Sequence, residues 1–563
     1  MNLSTFGRFP HLIGLGLIVV LASGLYFPFL GNPPVFDDAF LFSGERFFYY
    51  ATHPFGLEPR VPPYFSFAVT HVLSGRMEVH RIVSLAFHLA CSLALYKLLY
   101  DLLRAVRQPD RPGPAPGPHP EAATWAFIGA AAFAIHPAAV YGAAYLVERT
   151  IVFATLFSLL SVVLFVRGLA RGSHADAISA ALLYSIAVLS KEHSLLLPAA
   201  AVLAVPLVQV DRRFAVRHAA LYLLACTPAA IFIALLSKGL IGAAYEPDFD
   251  RVAAQVEAAF GRDIADFSWP LSAVTQAGLF FRYVALWLWP DTQAMSIDLR
   301  VDFLEAWSPG WIVLKVSAFA AWGALGFLLL RRRGRAGLAG FGLLYTWILF
   351  LVEFSTARFQ EPFVLYRSYL WAPGIVLALV GLLSGTPRRA ALAAFACACP
   401  VLLYQAHNRL VSFSSPLALW QDAVAKLPAK PIPWGSRTLY NLGRAYAYDG
   451  QTDKAIEIVE RCMAQYPDTY HCYFARGAIH FELGEFERAL SYFARAVSLN
   501  PGSGIAHHRL GMVLENLGRL EEAKAFYRRA SDLGFKGADQ ELIRLQTSGR
   551  GLSPPKKSAP ATR

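Results

Sequence analysis

Apolar residues in this chain come in long runs with polar residues gathered between them, and this pattern holds to about residue 408. Runs long enough to cross a bilayer lie at about 12–30, 80–102, 124–142, 150–167, 176–190, 194–210, 218–236, 310–330, 338–353, 369–385 and 390–406. In hydrocarbon only a helix or a closed barrel satisfies its own backbone, and runs of this length fit helices. The pattern therefore predicts an all-α polytopic membrane protein of about eleven spans. The segment "FFRYVALWLWP", 280–290, has interleaved aromatics and one arginine. It suits a helix lying at the headgroup level, with a re-entrant hairpin as the alternative.

After Asn408 the pattern turns polar and periodic. Gly443, Gly477 and Gly511 recur every 34 residues, as do Ala455, Ala489 and Ala523, and Pro467 with Pro501. That period, with small residues and proline at fixed offsets, is the signature of tetratricopeptide repeats. Gly and Ala sit where paired helices meet closely, and Pro ends the second helix. Two full repeats and a third beginning at about Gly504 are expected, with 415–428 as a half repeat capping the array. The expected organisation is a membrane domain over 1–411 with large loops at 31–79 and 237–309, an α-solenoid over 412–547, and a disordered tail over 548–563.

Charge orients the spans. The net charge is +12, but 56% of the 563 residues are hydrophobic and the cations sit in short loops, which argues against nucleic-acid binding. Arg104, Arg107 and Arg111, then Arg167 and Arg171, Arg212, Arg213 and Arg217, "RRRGR" at 331–335, and Arg388 with Arg389 each follow an even-numbered run. By the positive-inside rule the N-terminus is cytoplasmic, and an odd span count puts the repeats outside. The N-terminal run of roughly 20 residues exceeds the usual signal-peptide core, so it reads as a retained span, with a cleavable signal as the alternative. Cys91, Cys226, Cys397 and Cys399 lie in apolar runs and read as packing residues. Cys462 and Cys472 lie ten apart across a turn between repeat helices; outside the cell they would either pair or stay buried as thiols.

The same topology puts nearly all the mixed charge in outer loops: "FDD" at 36–38, Arg60, "AIHP" at 134–137, "VERT" at 147–150, "SKEHS" at 190–194 and "FQEPFVLYRSY" at 359–369. Ionisable groups at span ends are costly, and an anchor alone does not need them. The order of these motifs, with "PRVPPYFSFAVTHVLSGRMEVHRIVSLAFHLACSLALYKLL", "EPFVLYRSYLWAPG" and the terminal repeats, resembles the transmembrane and tetratricopeptide repeat-containing O-mannosyltransferases and their bacterial relatives. The resemblance covers nearly the whole chain. It implies a GT-C glycosyltransferase fold, an inverting mechanism, a polyprenyl-phosphate sugar donor, protein hydroxyl acceptors and a place in a bacterial inner membrane.

Such a transfer needs a base for the acceptor hydroxyl and cations for the departing phosphate. Asp37 and Asp38 supply the base, Asp38 being favoured and its neighbour orienting it or binding an ion; solvated loop residues are the alternative. Arg149, Lys191, His136, Arg367 and Arg60 are the candidate phosphate contacts, with Glu148, Glu192 and Glu361 in support. Glu148 and Arg149 could equally be a structural pair, His136 a helix cap and Lys191 an interfacial anchor. No metal-ligand spacing is visible, although an aspartate pair can hold a divalent cation. Two rival functions remain: an oligosaccharide ligase or polymerase, and a membrane-anchored repeat scaffold for envelope or secretion assembly, which would leave the outer charges incidental. A transporter is disfavoured, because no inverted repeat or broken span pair is evident.

Overall fold

The computed structural model describes residues 9–42, 46–53, 56, 58–107, 119–237, 267–301, 308–359, 361–432 and 434–548. The expected tail from 549 and most of the first half of loop 237–309 lie outside the described residues. The described chain is helical, with one isolated antiparallel bridge, Leu299 to Phe363. It divides into two compact units, Met1–Lys426 and Leu427–Arg563.

The first unit is a multi-pass membrane bundle. Its principal helices are α1 (Phe9–Tyr26), α2 (Met77–Arg107), α3 (Pro120–Ala134), α4 (Arg149–Arg171), α5 (His174–Ser190), α6 (Leu197–Val202), α7 (Arg212–Leu236), α8 (Ser268–Leu288), α9 (Pro309–Arg331), α10 (Gly334–Phe350), α11 (Ala372–Leu383), α12 (Arg388–Ser412) and α13 (Pro416–Ala425). Among the described residues, eight helical segments are long and apolar enough to cross a membrane, nine if one bent pair counts as a span. Three expected spans appear as shorter apolar helices, His174–Ser190, Glu192–Leu207 and Ala372–Leu383. The bent pair is the run 124–142, which turns by 52° between α3 and Pro137–Ala143. Pro137 explains the break: it lacks an N–H and pushes His136 into an extended conformation, φ −72° and ψ 133°.

Segment 280–290 forms the second half of α8, whose 21 residues are enough to cross a membrane. Both ends of α8 are fastened to the connector between α10 and α11. Trp269 Nε1 donates to the Phe354 carbonyl (2.6 Å), Gln276 Nε2 to Pro362 (2.7 Å), Tyr283 OH to Val364 (3.0 Å) and Trp287 Nε1 to Ser368 Oγ (2.9 Å). Helices α10 and α11 run antiparallel at near-backbone contact. A Cβ added at Gly342 would lie 2.3 Å from Ala378 N, at Gly374 2.4 Å from Thr346 Oγ1, and at Gly381 2.5 Å from Ala339 N. Small residues allow such an approach between membrane helices.

Helix α13, expected as a half repeat, groups with the first unit. Asp422 pairs with Arg409 of α12 (3.0 Å), Lys426 Nζ donates to the Met295 carbonyl (2.6 Å), and Trp420 packs edge-on against Phe36.

In the second unit, helices α14 (Gly435–Tyr448) and α15 (Thr452–Gln465), α16 (Tyr470–Glu482) and α17 (Phe486–Leu499), and α18 (Gly504–Asn516) and α19 (Leu520–Asp532) form three repeats, followed by α20 (Gly537–Ser548). The small residues act as the periodicity implied. A Cβ at Gly477 would meet the Phe493 ring at 3.0 Å and one at Gly511 the Tyr527 ring at 2.8 Å. Gly450, Gly484 and Gly518, also 34 apart, turn the chain inside each repeat with φ of +76° to +78°. Cys462 and Cys472 form a disulfide joining α15 to α16.

Candidate functional site

Three connectors of the first unit bring ionisable groups together. The first follows α1 and carries the aspartates. It is pinned by Arg81 of α2, which donates to the carbonyls of Asn32 (2.9 Å), Pro33 (2.7 Å) and Ala144 (2.9 Å). Asp38 is fully buried. Its Oδ1 accepts from Val147 N (2.8 Å) and its Oδ2 from Val35 N (3.3 Å). Burial pushes its carboxyl up to about 7, although these donors and Arg81 pull the other way. Asp37 is exposed. Its Oδ2 accepts from Tyr145 OH (3.0 Å), and its own N–H donates to the same hydroxyl (3.3 Å).

The second connector, after α5, holds Lys191, Glu192 and His193. Lys191 Nζ lies 3.5 Å from Glu148 Oε2, both side chains being buried. Glu192 pairs with Arg60 at 3.5 Å and with His193 Nδ1 at 3.3 Å. The third connector, after α10, carries Glu353, 1% exposed. Its carboxylate faces His193 Nε2 (3.1 Å), Arg358 Nε (3.3 Å) and Arg367 Nη1 (3.4 Å). Arg367 also donates to the main-chain carbonyl of Glu361 (3.3 Å).

Two tyrosines join the acidic and cationic halves. The ring of Tyr145, whose hydroxyl binds Asp37, lies 6.3 Å from that of Tyr366. Lys191 Nζ and Arg367 Cζ lie 5.6 and 5.9 Å from the centre of the Tyr366 ring. Glu353 faces the guanidinium groups of Arg358 and Arg367 and the ring of His193, so the connector that carries it presents two cations around one carboxylate. Charges buried this deeply cost several kcal/mol each unless paired, and groups of them in membrane proteins mark sites.

The structure thus gathers Asp37, Asp38, Glu148, Lys191, Glu192, Arg60 and Arg367, and Glu361 through its backbone. Arg149 stands apart. Its guanidinium is fully buried and donates to Ser84 Oγ (3.0 Å), Ser66 Oγ (3.4 Å), Thr70 Oγ1 (3.5 Å) and the His80 carbonyl (2.7 Å), stacked 3.7 Å over Phe67. These contacts tie α4 to α2 and to helix Val61–Leu73 and place Arg149, expected as a phosphate contact, outside the cluster. Glu148 likewise pairs with Lys191 instead of its neighbour. His136 stacks on Trp287 at 4.3 Å, beyond the cluster. Among the described residues no group of three or more His, Cys, Asp or Glu is placed to hold a metal ion. Both Asp38 oxygens are engaged by backbone donors, which does not favour a divalent cation at the aspartate pair.

Sequence reasoning passed over Tyr145, Tyr366, His193, Glu353, Arg358 and Arg81. Glu353 did leave a signal, being the one charged residue in the run 338–353. His193 stands inside "SKEHS". An aromatic such as Tyr145 in an apolar run leaves none.

Residues 436–502 and 474–534 match tetratricopeptide repeat family models. The repeats are similar to the first tetratricopeptide domain of Spaghetti (RPAP3) bound to an HSP90 peptide, at 29% identity over 21% of this chain and 94% of that one, TM-score 0.20. They are also similar to the Sgt2 domain of Aspergillus fumigatus, at 21% identity over 24% and 93%, TM-score 0.20. A longer match is to the oligosaccharyltransferase of Archaeoglobus fulgidus. Its apo form is 14% identical over 78% of this chain and 59% of that one, TM-score 0.38. Its complex with an inhibitory peptide and a dolichol-phosphate is 14% identical over 79% and 60%, TM-score 0.37. This chain thus spans about 60% of the archaeal enzyme's length. No curated protein matches this chain.

Proposed function

We propose that this chain is a membrane glycosyltransferase that moves a sugar from a polyprenyl-phosphate donor to a hydroxyl acceptor with inversion. The observation that carries the reading is the convergence of Asp37 with the buried cations Lys191 and Arg367 across the Tyr145 and Tyr366 rings. Asp37 is the base in preference to Asp38, the residue favoured by the sequence. Asp38 is sealed under two backbone N–H groups, whereas Asp37 is exposed and oriented by a hydroxyl.

The acceptor O–H gives its proton to Asp37 and its oxygen bonds to the anomeric carbon. The bond from that carbon to the phosphate oxygen breaks, and the phosphate leaves with the electron pair. Lys191, Arg367 and, through Glu192, Arg60 balance its charge. The acceptor is a protein hydroxyl, and the repeats recruit it or a partner. The connectors lie outside an inner membrane, in keeping with the basic loops on the other side, and the Cys462–Cys472 disulfide supports an oxidising compartment for the repeats.

Purified full-length protein supplied with a polyprenyl-phosphate sugar tests the reading. Asp37→Asn should lower turnover by about 10²–10⁴-fold and leave donor affinity nearly unchanged. Arg367→Ala should weaken donor binding itself. Wild-type turnover by Asp37→Asn would remove the base assignment. Absence of any sugar transfer by the wild-type protein would leave a scaffold as the better account.

A further inference from the structure

A cavity of about 130 Å³ lies between α3 and α11, outside the charge cluster. Trp125, Ile128, Ala132 and Phe133 line one side, and Val376 and Leu379 belong to the other. The lining of α3 from Trp125 to Phe133 runs for about 12 Å at 1.5 Å per residue. That volume spread over that length is a slot one chain wide. An apolar cavity of this size stays dry and takes apolar guests. Ile128, Ala132 and Leu379 are only partly buried and Leu383 is exposed, so the slot opens sideways toward lipid.

One ionisable side chain reaches the slot, His136, which is 5% exposed. Ala138 N–H donates to its Nδ1 at 3.2 Å, so a neutral ring carries its proton on Nε2. Nε2 makes no hydrogen bond; the Trp287 carbonyl interacts with it only from outside hydrogen-bond geometry. A buried donor left in this state costs free energy that a ligand acceptor would recover. The end of the slot is linked to the connector that bears Arg367: His136 stacks on Trp287, and Trp287 Nε1 donates to Ser368, the neighbour of Arg367 in sequence.

We propose that this slot holds the isoprenoid chain of a polyprenyl phosphate beside its head group, and that His136 Nε2–H donates to an oxygen of that phosphate. The identity of the chain rests on the glycosyltransferase reading. A single slot with a single donor at one end suits one chain and one head, whereas a diacyl phospholipid presents two chains.

The test has a binding arm and a kinetic arm, both on the full-length protein in nanodiscs. A photoreactive polyprenyl phosphate without sugar should crosslink to peptides 120–136 and 372–383, and polyprenyl phosphate should compete while excess phosphatidylglycerol should not. Ala132→Trp, which fills the slot, should raise KM at least 10-fold for a long-chain sugar donor and less than 2-fold for a two-isoprene one. His136→Phe keeps the stack on Trp287 and should raise KM for both. Crosslinks elsewhere, competition by phosphatidylglycerol, or equal effects of Ala132→Trp on long and short donors would overturn the assignment. Correct crosslinks without any sugar transfer would uphold the slot and overturn the enzymatic reading.

Discussion

The two units treat charge in opposite ways. In the repeats most of it stays at the surface and much of it is local: Arg519 with Glu522, Lys524 with Glu521 and Arg488 with Glu485 are pairs three residues apart, while Arg476 with Glu460 and Arg544 with Glu515 join neighbouring helices. In the membrane unit the cluster's pairs are long-range and mostly buried: Lys191 meets Glu148 and Glu353 meets Arg358, Arg367 and His193 with both partners buried, and Arg60 meets Glu192 at the more open edge. Surface pairs contribute little and are replaceable. Buried charges lose their hydration and persist only where geometry pairs them. The contrast teaches where to look for chemistry: in the unit that tolerates an expensive arrangement.

The contrast can be broken at its most buried point. Glu353→Gln leaves two guanidinium groups facing a neutral amide, and should cost about 3–5 kcal/mol, read as a lowered midpoint in thermal unfolding of the solubilised protein. An unchanged midpoint would mean that the cluster is wetter than its burial implies. Asp38→Asn comes next and carries a sign. The folded carboxyl titrates near 7 against 3.8 for the ordinary group, so the folded state keeps a proton that the unfolded chain has lost. Stability should therefore fall as pH rises from about 4 to about 7 and level off above. Melting at pH 4.5, 6 and 7.5 should show that slope weakened in Asp38→Asn; an identical slope would assign it to other groups.

On the repeat side, Gly511→Val drives a side chain into Tyr527 and should cost about 1–3 kcal/mol. Because repeats couple mainly to their neighbours, limited proteolysis should show loosening within 504–548 and an unaltered membrane unit. The smallest effect belongs to Glu522→Gln, an exposed partner of Arg519, which should leave the melting curve where it is.

Much of this arrangement could be read in the sequence where it rests on periodicity. Gly443, Gly477 and Gly511 announced the repeats because every repeat solves the same packing problem at the same offset. Most apolar runs announced helices because hydrocarbon leaves few other options. Helix α13 was misplaced because its composition matches a repeat helix, and only tertiary contacts from Asp422, Lys426 and Trp420 attach it elsewhere. The site was half legible. Motif order picked out the aspartate pair, with Asp38 favoured, together with Lys191 and Arg367, but adjacent residues such as Glu148 and Arg149 diverge in space, one toward Lys191 and the other into a nest of hydroxyls. Which neighbour faces the site depends on the helix turn at that residue, and that is a property of packing. The partners that complete the cluster, Glu353 and His193, become informative only once distant connectors meet.

The near-backbone contact between α10 and α11 has a mechanical consequence. The connector bearing Glu353, Arg358, Tyr366 and Arg367 starts at the end of one of these helices and finishes at the start of the other. With Gly342, Gly374 and Gly381 setting the helices almost axis to axis, its two ends cannot drift apart or slide. Trp269, Gln276, Tyr283 and Trp287 then rivet its length to α8. The connector with its two guanidinium groups is thus held in place by the fold, and under the glycosyltransferase reading such preorganisation would spare the rearrangement that a flexible loop undergoes. The facing side of the cluster is held differently, through a side chain: there Asp37 accepts from the hydroxyl of Tyr145.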